Sequence, residues 1–314
     1  MQSALLSPGV SVVIPAYRSA ASAPLVAERL LEVLPTLAQH YEVIFVEDGS
    51  PDDETWPTLA SLAQAHESVR AIRLMRNFGQ HNALLCGIVH ARYDVCVTMD
   101  DDLQHPPDQL PKLLQALAGY DVVYGYPENV QYSGLLRRMA THVTKLVLQG
   151  AVGRDNARYI APYRAFRTQI REAFQHYSGH YVNIDVLLTW GARRFNRIPV
   201  QYNQRAVGRS NYTLSKLITH TVNLLVGFST LPLRLASLLG LFLTAFGAVL
   251  MVYILIIRIL IFGEYEVPGF TFLASMISIF AGSQMFILGI IGEYMARIYF
   301  RVMERPVYVV EVEV

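Results

Sequence analysis

Two long stretches near the C-terminus carry no charged residue, and they constrain the fold more than any other feature of the chain. The first runs from Leu235 to Ile257 and the second from Val267 to Gly292. A helix of about 20 apolar residues crosses a hydrocarbon core about 30 Å thick. The sequence therefore predicts two transmembrane helices within residues 234–296, joined by a short outer loop at 263–268. Two buried core helices are the alternative.

Basic residues flank the predicted spans on the side of both chain ends, whereas the connection between the spans is acidic. The flanking residues are Arg209, Lys216, Arg234, Arg297, Arg301 and Arg305, and the connection holds Glu264 and Glu266. Under the positive-inside rule, this distribution predicts an integral protein of the inner (cytoplasmic) membrane with residues 1–230 and the C-terminus in the cytoplasm.

Residues 10–125 alternate between short apolar runs and segments with helical periodicity, which predicts a mainly parallel sheet with helices on both faces. The predicted strands are Val10–Ile14, Tyr41–Val46, Val69–Leu74, Asp94–Met99 and Asp121–Tyr124. The predicted helices are Pro24–Gln39, Thr55–His66, one from Gln80 to about Ala91, and Pro107–Leu117. In such α/β folds, ligands bind at the carboxyl ends of the strands.

Three consecutive aspartates, Asp100, Asp101 and Asp102, follow the fourth predicted strand. Adjacent carboxylates at the end of a buried strand repel one another and lose hydration, so folding alone does not call for them. A divalent cation that holds a diphosphate explains them, because Mg²⁺ and Mn²⁺ prefer hard oxygen ligands. In an extended segment Asp100, Asp102 and Gln104 would share one face and act as the metal ligands. A solvated acidic turn that caps the next helix is the alternative.

Five residues at or just after the ends of the first three predicted strands form a candidate nucleotide-binding site: Pro15, Tyr17, Asp48, Arg76 and Gln80. Tyr17 would stack on a base or simply pack. Asp48 would accept hydrogen bonds from a base or ribose, or cap the next helix through an Asx turn. Arg76 and Gln80 would contact phosphate or sugar, unless Arg76 pairs with a surface carboxylate.

Two basic segments are candidate binding sites for phosphate groups or for the lipid surface. The amphipathic pattern from Tyr132 to Leu148 carries Arg137 and Arg138 and suits a helix on a membrane surface or a core-packing helix. Near the membrane, a loop with Arg205 and Arg209 would bind phosphate oxygens or anionic lipid. The net charge is only +1, so nucleic acid is not an expected partner.

Taken in order, these motifs resemble the family 2 glycosyltransferases with the GT-A fold, and more narrowly the membrane-anchored polyprenyl-phosphate glycosyltransferases. The matching segments are Val13–Tyr17, Val46–Ser50, Arg76–Gln80, Met99–Pro107, residues 205–212, the two predicted spans and Gly292–Tyr294. The resemblance covers essentially the whole chain. It implies an α/β GT-A catalytic domain at 1–212 in the cytoplasm, an amphipathic juxtamembrane helix at 213–233, the membrane helices at 234–296 and a cytoplasmic tail at 297–314.

The resemblance also implies roles for individual residues. It assigns Pro15, Tyr17, Asp48, Arg76, Gln80 and Asp101 to the donor, Asp100, Asp102 and Gln104 to a metal–diphosphate site, and Arg137, Arg138, Arg205 and Ser210 to the acceptor phosphate. Asp185 is the best candidate for a general base; a structural or sugar-binding role is the alternative. The chain departs from the family at Arg18-Ser19, where relatives read Asn-Glu, at Asp101, where they have alanine, and at Asn211, where many have lysine.

The implied reaction is the metal-dependent, inverting transfer of a hexose or pentose from a nucleotide-sugar, with UDP as the expected nucleotide, to undecaprenyl or another polyprenyl phosphate. By resemblance the protein is also expected to form a homo-oligomer, a tetramer in relatives, with Val307–Val314 as an intersubunit strand, and a flippase is a possible partner. The alternatives are a transferase that acts on a lipid-linked sugar hydroxyl and a non-catalytic membrane scaffold.

Overall fold

The computed structural model describes residues 7–128, 160–179, 181–203, 231–260 and 269–314. The chain divides into two compact units: Met1–Leu224 together with Glu304–Val314, and Leu225–Met303. Four predicted segments lie wholly or mostly outside the described residues. They are the helix at 132–148, the basic loop at 205–212, most of the juxtamembrane segment at 213–233 and the whole outer loop at 263–268.

The first unit is built on one sheet of eight strands in the order β7-β5-β6-β4-β1-β2-β3-β8. The strands are Ser7–Ala16 (β1), Ala38–Glu47 (β2), Val69–Leu74 (β3), Val95–Thr98 (β4), Val122–Pro127 (β5), Arg164–Arg167 (β6), Phe195–Val200 (β7) and Val310–Glu313 (β8). β1 pairs in parallel with β2 and β4, β2 with β3, and β5 with β7. β6 and β8 are antiparallel to their neighbours. The predicted mainly parallel α/β sheet is therefore confirmed.

Helices cover both faces of this sheet and bury two apolar clusters. The helices of this unit are Ala23–Val33 (α1), Thr55–Ala65 (α2), Gln80–His90 (α3), Leu110–Ala116 (α4) and Ile184–Gly191 (α5). Two further helices, Leu231–Leu260 (α6) and Gly269–Val302 (α7), belong to the second unit. Successive side chains of a strand point to opposite faces, so in β1 Val12 and Ile14 join one cluster while Val13 joins the other. Burial on both faces explains why the parallel strands read as continuous apolar runs.

The first helix is shorter than the sequence pattern predicts. It ends at Val33 rather than Gln39, and the chain continues through a 3₁₀ turn at Leu34–Thr36 into β2. Pro35 explains the difference, because proline lacks an N–H and its ring clashes with the carbonyl one turn earlier. The apolar residues beyond it belong to the turn and to the start of β2.

The second unit contains α6 and α7, which correspond to the two predicted spans. By length and composition, one stretch among the described residues is able to cross a membrane, Ile279–Tyr299 in α7; α6 contains a shorter apolar stretch, Pro232–Gly247. The second span therefore stays a prediction. The two helices contact each other, and a Cβ atom at Gly247 would lie 3.1 Å from the ring of Phe280.

The C-terminal strand completes the sheet of its own chain. β8 pairs with β3, with Ile72 opposite Glu313 and Arg73 opposite Val312. Ion pairs from Arg70 to Glu313 and from Arg73 to Glu311 reinforce this pairing. β8 is thus the last strand of this sheet, and an intersubunit role for Val307–Val314 stays a prediction.

Candidate active site

The candidate donor and metal residues lie at one end of the sheet, where the parallel strands β1 to β4 finish. Pro15 is the buried penultimate residue of β1, and Asp48 directly follows β2. The backbone N–H of Asp48 donates to the carbonyl of Ala16 at 2.9 Å, which joins the ends of β1 and β2. The aspartates at 100–102 follow β4, the neighbour of β1 on its other side.

Asp48 links the end of β2 to the loop that precedes α3. Its two carboxylate oxygens accept the backbone N–H groups of Phe78 at 2.7 Å and Gly79 at 2.8 Å. Burial raises the pKa of Asp48 to about 6, opposed by these two hydrogen bonds and reinforced by the neighbouring Glu47. The group therefore stays mostly ionised at pH 7. The Asx turn before α2 that was an alternative for Asp48 is made instead by Asp52, whose Oδ1 accepts the N–H groups of Glu54 and Thr55.

Gly49 lets the loops after β2 and β3 approach closely. Its φ is +59°, and a Cβ atom would lie 2.3 Å from the backbone of Arg76 and Asn77. Only glycine meets both requirements, because other residues rarely adopt this conformation and need the space that the Arg76 backbone fills. The Glu47–Ser50 segment thus holds the Arg76–Gly79 loop in place.

The segment from Asp100 to His105 is a turn and not the extended chain from which the common face of Asp100, Asp102 and Gln104 was predicted. Leu103 has a φ of 59°, and the backbone N–H of Gln104 donates to Oδ1 of Asp102 at 3.1 Å. We call residues 100–105 the aspartate turn. The extended geometry was wrong because the side chain of Asp102 folds the backbone around itself.

Within the aspartate turn the three carboxylates have different partners. Asp100 accepts a hydrogen bond from the side-chain amide of Gln80 at 2.7 Å, and the hydroxyl of Ser19 donates to Asp101. Burial raises the pKa of Asp101 to about 6. The hydrogen bond from the Ser19 hydroxyl opposes this rise, and the charges of Asp100 and Asp102 reinforce it. Ser19 also accepts the backbone N–H of Tyr17 at 2.8 Å, so it connects the end of β1 to the turn.

A buried arginine lies behind the aspartate turn. Arg164 of β6 is only 1% exposed, pairs with Asp185 of α5 and donates through Nε to the hydroxyl of Thr98 at 2.8 Å. The carboxylates of Asp185 and Asp100 and the phenol of Tyr124 favour its charged form and hold its pKa above the usual range in spite of burial. Asp185 therefore has a structural partner, and its role as a base stays a prediction.

His105 completes the aspartate turn from the inside. Its Nδ1 accepts the backbone N–H of Asp100 at 3.1 Å, and its ring stacks on Tyr163 and meets Tyr202 edge-on. Burial lowers the pKa of His105 to about 4, opposed by the charge of Asp102 and reinforced by that of Arg164. The imidazole is therefore neutral at pH 7, as an acceptor Nδ1 requires.

The other donor candidates lie at the surface of the same end of the sheet. Tyr17 is 41% exposed, as stacking on a base would require. Arg76 is exposed and lies over the ring of Phe78, 4.6 Å from its centroid, and no ion pair links it to a described carboxylate. Gln80 is the first residue of α3. The structure thus brings all the donor candidates together, whereas Arg137, Arg138, Arg205 and Ser210 lie outside the described residues.

The aspartate turn fits a divalent cation that a diphosphate helps to hold. Among the described residues no group of three His, Cys, Asp or Glu side chains is arranged to bind a metal. Mg²⁺, however, is commonly held by one or two carboxylates together with substrate phosphates. Asp102, 8% exposed, and the half-buried Asp100 supply such carboxylates. Gln104 is held in the turn through its backbone, whose carbonyl accepts the N–H of Asn203 at 3.1 Å.

Sequence reasoning assigned no site role to Ser19, His105 or Arg164. His105 stands among polar residues and before two prolines, Pro106 and Pro107, so the local sequence gave no signal of its burial. For Arg164, a charge between the apolar Tyr163 and Ala165 was a weak signal of a buried ion pair. Ser19 contacts Asp101, which lies 82 positions later in the sequence, and no local sequence pattern predicts such a contact.

The fold and site define a glycosyltransferase, and the chain belongs to glycosyl transferase family 2, whose family model matches residues 11–186. It is 35% identical to an undecaprenyl-phosphate 4-deoxy-4-formamido-L-arabinose transferase of Yersinia enterocolitica, over 96% of this chain and 92% of that protein. A protein of the same name from Photorhabdus laumondii is 36% identical, over 96% of this chain and 93% of its own length.

Solved structures of a GT-A glycosyltransferase share the fold. Glucosyl-3-phosphoglycerate synthase of Mycobacterium tuberculosis, in complex with Mn²⁺, UDP and phosphoglyceric acid, superposes with a TM-score of 0.53 at 17% identity, covering 70% of this chain and 77% of that one. Its complex with Mn²⁺, UDP-glucose and phosphoglyceric acid gives a TM-score of 0.52. At this level of identity the likeness shows the fold, and the predicted GT-A architecture is confirmed.

Proposed function

We propose that this protein transfers a sugar from a nucleotide-sugar, with UDP as the expected nucleotide, to undecaprenyl or another polyprenyl phosphate, with inversion at the anomeric carbon. The observation that carries the proposal is the aspartate turn at the carboxyl ends of parallel strands, in a chain that aligns over 96% of its length with named undecaprenyl-phosphate sugar transferases. The sugar itself is left open, because the described residues do not distinguish a hexose from a pentose.

Asp100 and Asp102 would hold Mg²⁺ or Mn²⁺ against the donor diphosphate. When bound, such a cation neutralises the charge that develops on a leaving diphosphate. Gln80 fixes the carboxylate of Asp100, and the backbone of Gln104 fixes that of Asp102. The site therefore presents carboxylates whose positions are set before the substrate arrives, which limits the reorganisation needed during the reaction.

The acceptor chemistry makes a strong general base unnecessary. A phosphate monoester has a second pKa near 6, so the acceptor is mostly a dianion at pH 7 and is already a nucleophile. The buried ion pair of Asp185 with Arg164 supports a structural role for this carboxylate. Arg137, Arg138, Arg205 and Ser210 remain our candidates for holding the acceptor phosphate.

The lipid substrate accounts for an anchor in the membrane. Removing a polyprenyl chain from a bilayer costs about 0.8 kcal/mol for each CH₂ group, so the enzyme has to work at the surface. The apolar stretch Ile279–Tyr299 supports insertion of α7. We propose a second span in α6 and an active site that faces the cytoplasm; a homo-oligomer and a flippase partner stay predictions by resemblance.

The test is nucleotide release by the full chain in detergent, with undecaprenyl phosphate, Mg²⁺ or Mn²⁺ and a panel of UDP- and GDP-sugars. Asp102→Asn removes one carboxylate charge at constant size and is expected to lower the rate about 100-fold or more, since metal-assisted stabilisation is worth several kcal/mol. Asp108→Asn, an exposed aspartate beyond the turn, is the matched control and should retain the rate.

Each other outcome identifies an alternative. Release that requires a lipid-linked sugar rather than the lipid phosphate would replace the proposed acceptor with a sugar hydroxyl. Nucleotide binding without release, for every donor and acceptor in the panel, would support a non-catalytic scaffold. Equal rates for Asp102→Asn and Asp108→Asn would contradict a catalytic role for the aspartate turn.

A further inference from the structure

A cleft of about 990 Å³ lies at the other end of the strands from the aspartate turn. It forms where β4, β5 and β7 begin and where the antiparallel β6 ends, between the segments Arg92–Asp94, Gly119–Asp121, Arg167–Ala173 and Gly191–Arg194. The four residues of β4 separate it from the aspartate turn, a distance of about 13 Å at roughly 3.3 Å per residue. The cleft is therefore distinct from the candidate active site.

Arginine dominates the charge of this cleft. The lining contains five arginines, Arg92, Arg167, Arg171, Arg193 and Arg194, and three carboxylates, Asp94, Asp121 and Glu172. Arg171 is used structurally, because it donates to the carbonyls of Ile88, Val89 and Ala91 at the end of α3.

Arg194 is also engaged, since it pairs with Asp121 at 2.9 Å. Arg167 and Arg193, in contrast, are exposed, and neither guanidinium forms an ion pair with a described residue. The cleft thus offers two unneutralised guanidinium groups in a surrounding field of net positive charge.

The backbone around the cleft is fixed without a ligand. The carboxylate of Asp121 accepts the N–H groups of Arg193 and Arg194 at 3.0 and 2.9 Å. The N–H of Arg167 donates to the carbonyl of Asp121, and that of Thr168 to the carbonyl of Asp94. Because backbone hydrogen bonds already join the arginine-bearing segments to one another, binding of a ligand would cost little free energy for ordering their backbone.

We infer that this cleft is a binding site for a phosphate or diphosphate group, carried by a small phosphorylated molecule or by a lipid headgroup. Guanidinium groups bind phosphate oxygens bidentately, which sets them apart from lysine at such sites. The volume suits a small ligand, because typical pockets for such molecules measure about 300–1,000 Å³. This site is additional to the donor and acceptor sites of the proposed reaction and does not depend on them.

The experiment is calorimetric titration of the full chain, in a maltoside detergent and a chelator, with inorganic phosphate and with pyrophosphate. The chelator removes divalent cations, so that binding at the aspartate turn does not contribute. We expect the double variant Arg167→Ala/Arg193→Ala to bind at least about tenfold more weakly, because each charge-assisted hydrogen bond is worth that much. Arg29→Ala, which removes an exposed arginine of α1, should leave the affinity unchanged.

The absence of binding by the wild-type chain, or equal affinity in the double variant, would overturn the inference. Should the double variant unfold, Arg193→Gln alone keeps the test open, because its side chain is exposed. Repeating the titration in nanodiscs distinguishes the two sources of phosphate. Phosphatidylglycerol that competes with pyrophosphate identifies a headgroup, whereas equal affinity in phosphatidylglycerol and phosphatidylcholine identifies a soluble ligand; both support the phosphate site.

Discussion

At the scale of single residues, His105 makes the shape of the aspartate turn sensitive to pH. Burial lowers its pKa from 6.5 to about 4, so the folded protein favours the neutral ring. A group whose pKa is lower in the folded state stabilises the fold above its unfolded pKa, and this contribution is lost as the pH falls through the folded value. We therefore expect the contribution of His105 to the free energy of unfolding to be lost between pH 6.5 and pH 4. Asp48 and Asp101 act in the opposite direction over this range, because their pKa values are raised to about 6 in the folded state.

The variant His105→Phe isolates this contribution. Phenylalanine retains ring contacts with Tyr163 and Tyr202 but cannot accept the N–H of Asp100. The expected result at pH 7 is a loss of about 1 kcal/mol, the usual worth of a buried hydrogen bond. This difference in stability from the wild type should shrink as the pH falls from 6.5 to 4, because protonation of His105 destabilises only the wild type. Chemical unfolding followed by circular dichroism over the pH range measures both. His40→Phe is the control, because His40 is exposed and also stacks on a tyrosine, Tyr93; a difference from the wild type that changes equally with pH in both variants would contradict the prediction.

Residue types in the candidate site were predicted from sequence more reliably than the contacts between them. The acidic run at 100–102 and the Glu47–Ser50 turn predicted a polar site at the strand ends, and both segments follow strands in the structure. The contacts of Ser19 with Asp101 and of Arg164 with Asp185 join segments distant in sequence. Such pairs depend on the order of strands in the sheet, which periodicity does not specify.

At the scale of elements, the loops after β2 and β3 act as one unit because Gly49 and Asp48 join them. We expect Gly49→Ala to cost about 3 kcal/mol and to raise the KM for the donor, since the new Cβ atom would meet the backbone of Arg76 and Asn77 at 2.3 Å. The measurements are chemical unfolding and steady-state kinetics with the donor varied.

Gly119→Ala is the matched control for this substitution. Gly119 has a similar φ of +78°, but a Cβ atom there would meet nothing within 4 Å. The two variants therefore share the backbone strain of about 1–2 kcal/mol, and the difference between them measures the contact between the loops. Equal losses of stability, or an unchanged KM in Gly49→Ala, would show that the two loops are not coupled.

The elements that sequence reasoning missed are short or broken by a single residue. β6 has four residues, of which two are arginines, and it lies antiparallel between β4 and β5. An alternation of apolar and polar residues over only four positions is too short to predict a strand from the sequence. Pairing with β4 and β5 on both sides nevertheless stabilises it. In α1 the apolar pattern continued beyond Pro35, and the local chemistry of proline outweighed the periodicity.

At the scale of the whole molecule, the chain leaves the first unit after Leu224, forms the two helices of the second unit and then returns to complete the sheet of the first. The last residues, Glu304–Val314, belong to the first unit. The backbone of Val314 exchanges two hydrogen bonds of 2.9 Å with Ala71, and Val309 accepts the N–H of Met75 at 3.0 Å. The return of the chain thus protects β3, which would otherwise be an exposed edge open to pairing with other chains.

A chain that ends at Val309 tests this closure. We expect it to lose about 2 kcal/mol of stability, because several hydrogen bonds to β3 and one of the two carboxylate partners of Arg70, Glu313, are removed, while Glu42 remains. It should also aggregate through the uncovered edge of β3. Glu313→Gln is the matched variant that keeps the strand and removes only one ion pair, and since Glu313 is partly exposed we expect it to cost less than about 1 kcal/mol. The wild type, the truncated chain and Glu313→Gln are compared by chemical unfolding and size-exclusion chromatography in detergent. If the two variants lose the same stability and neither aggregates, the ion pair rather than the strand closes the sheet.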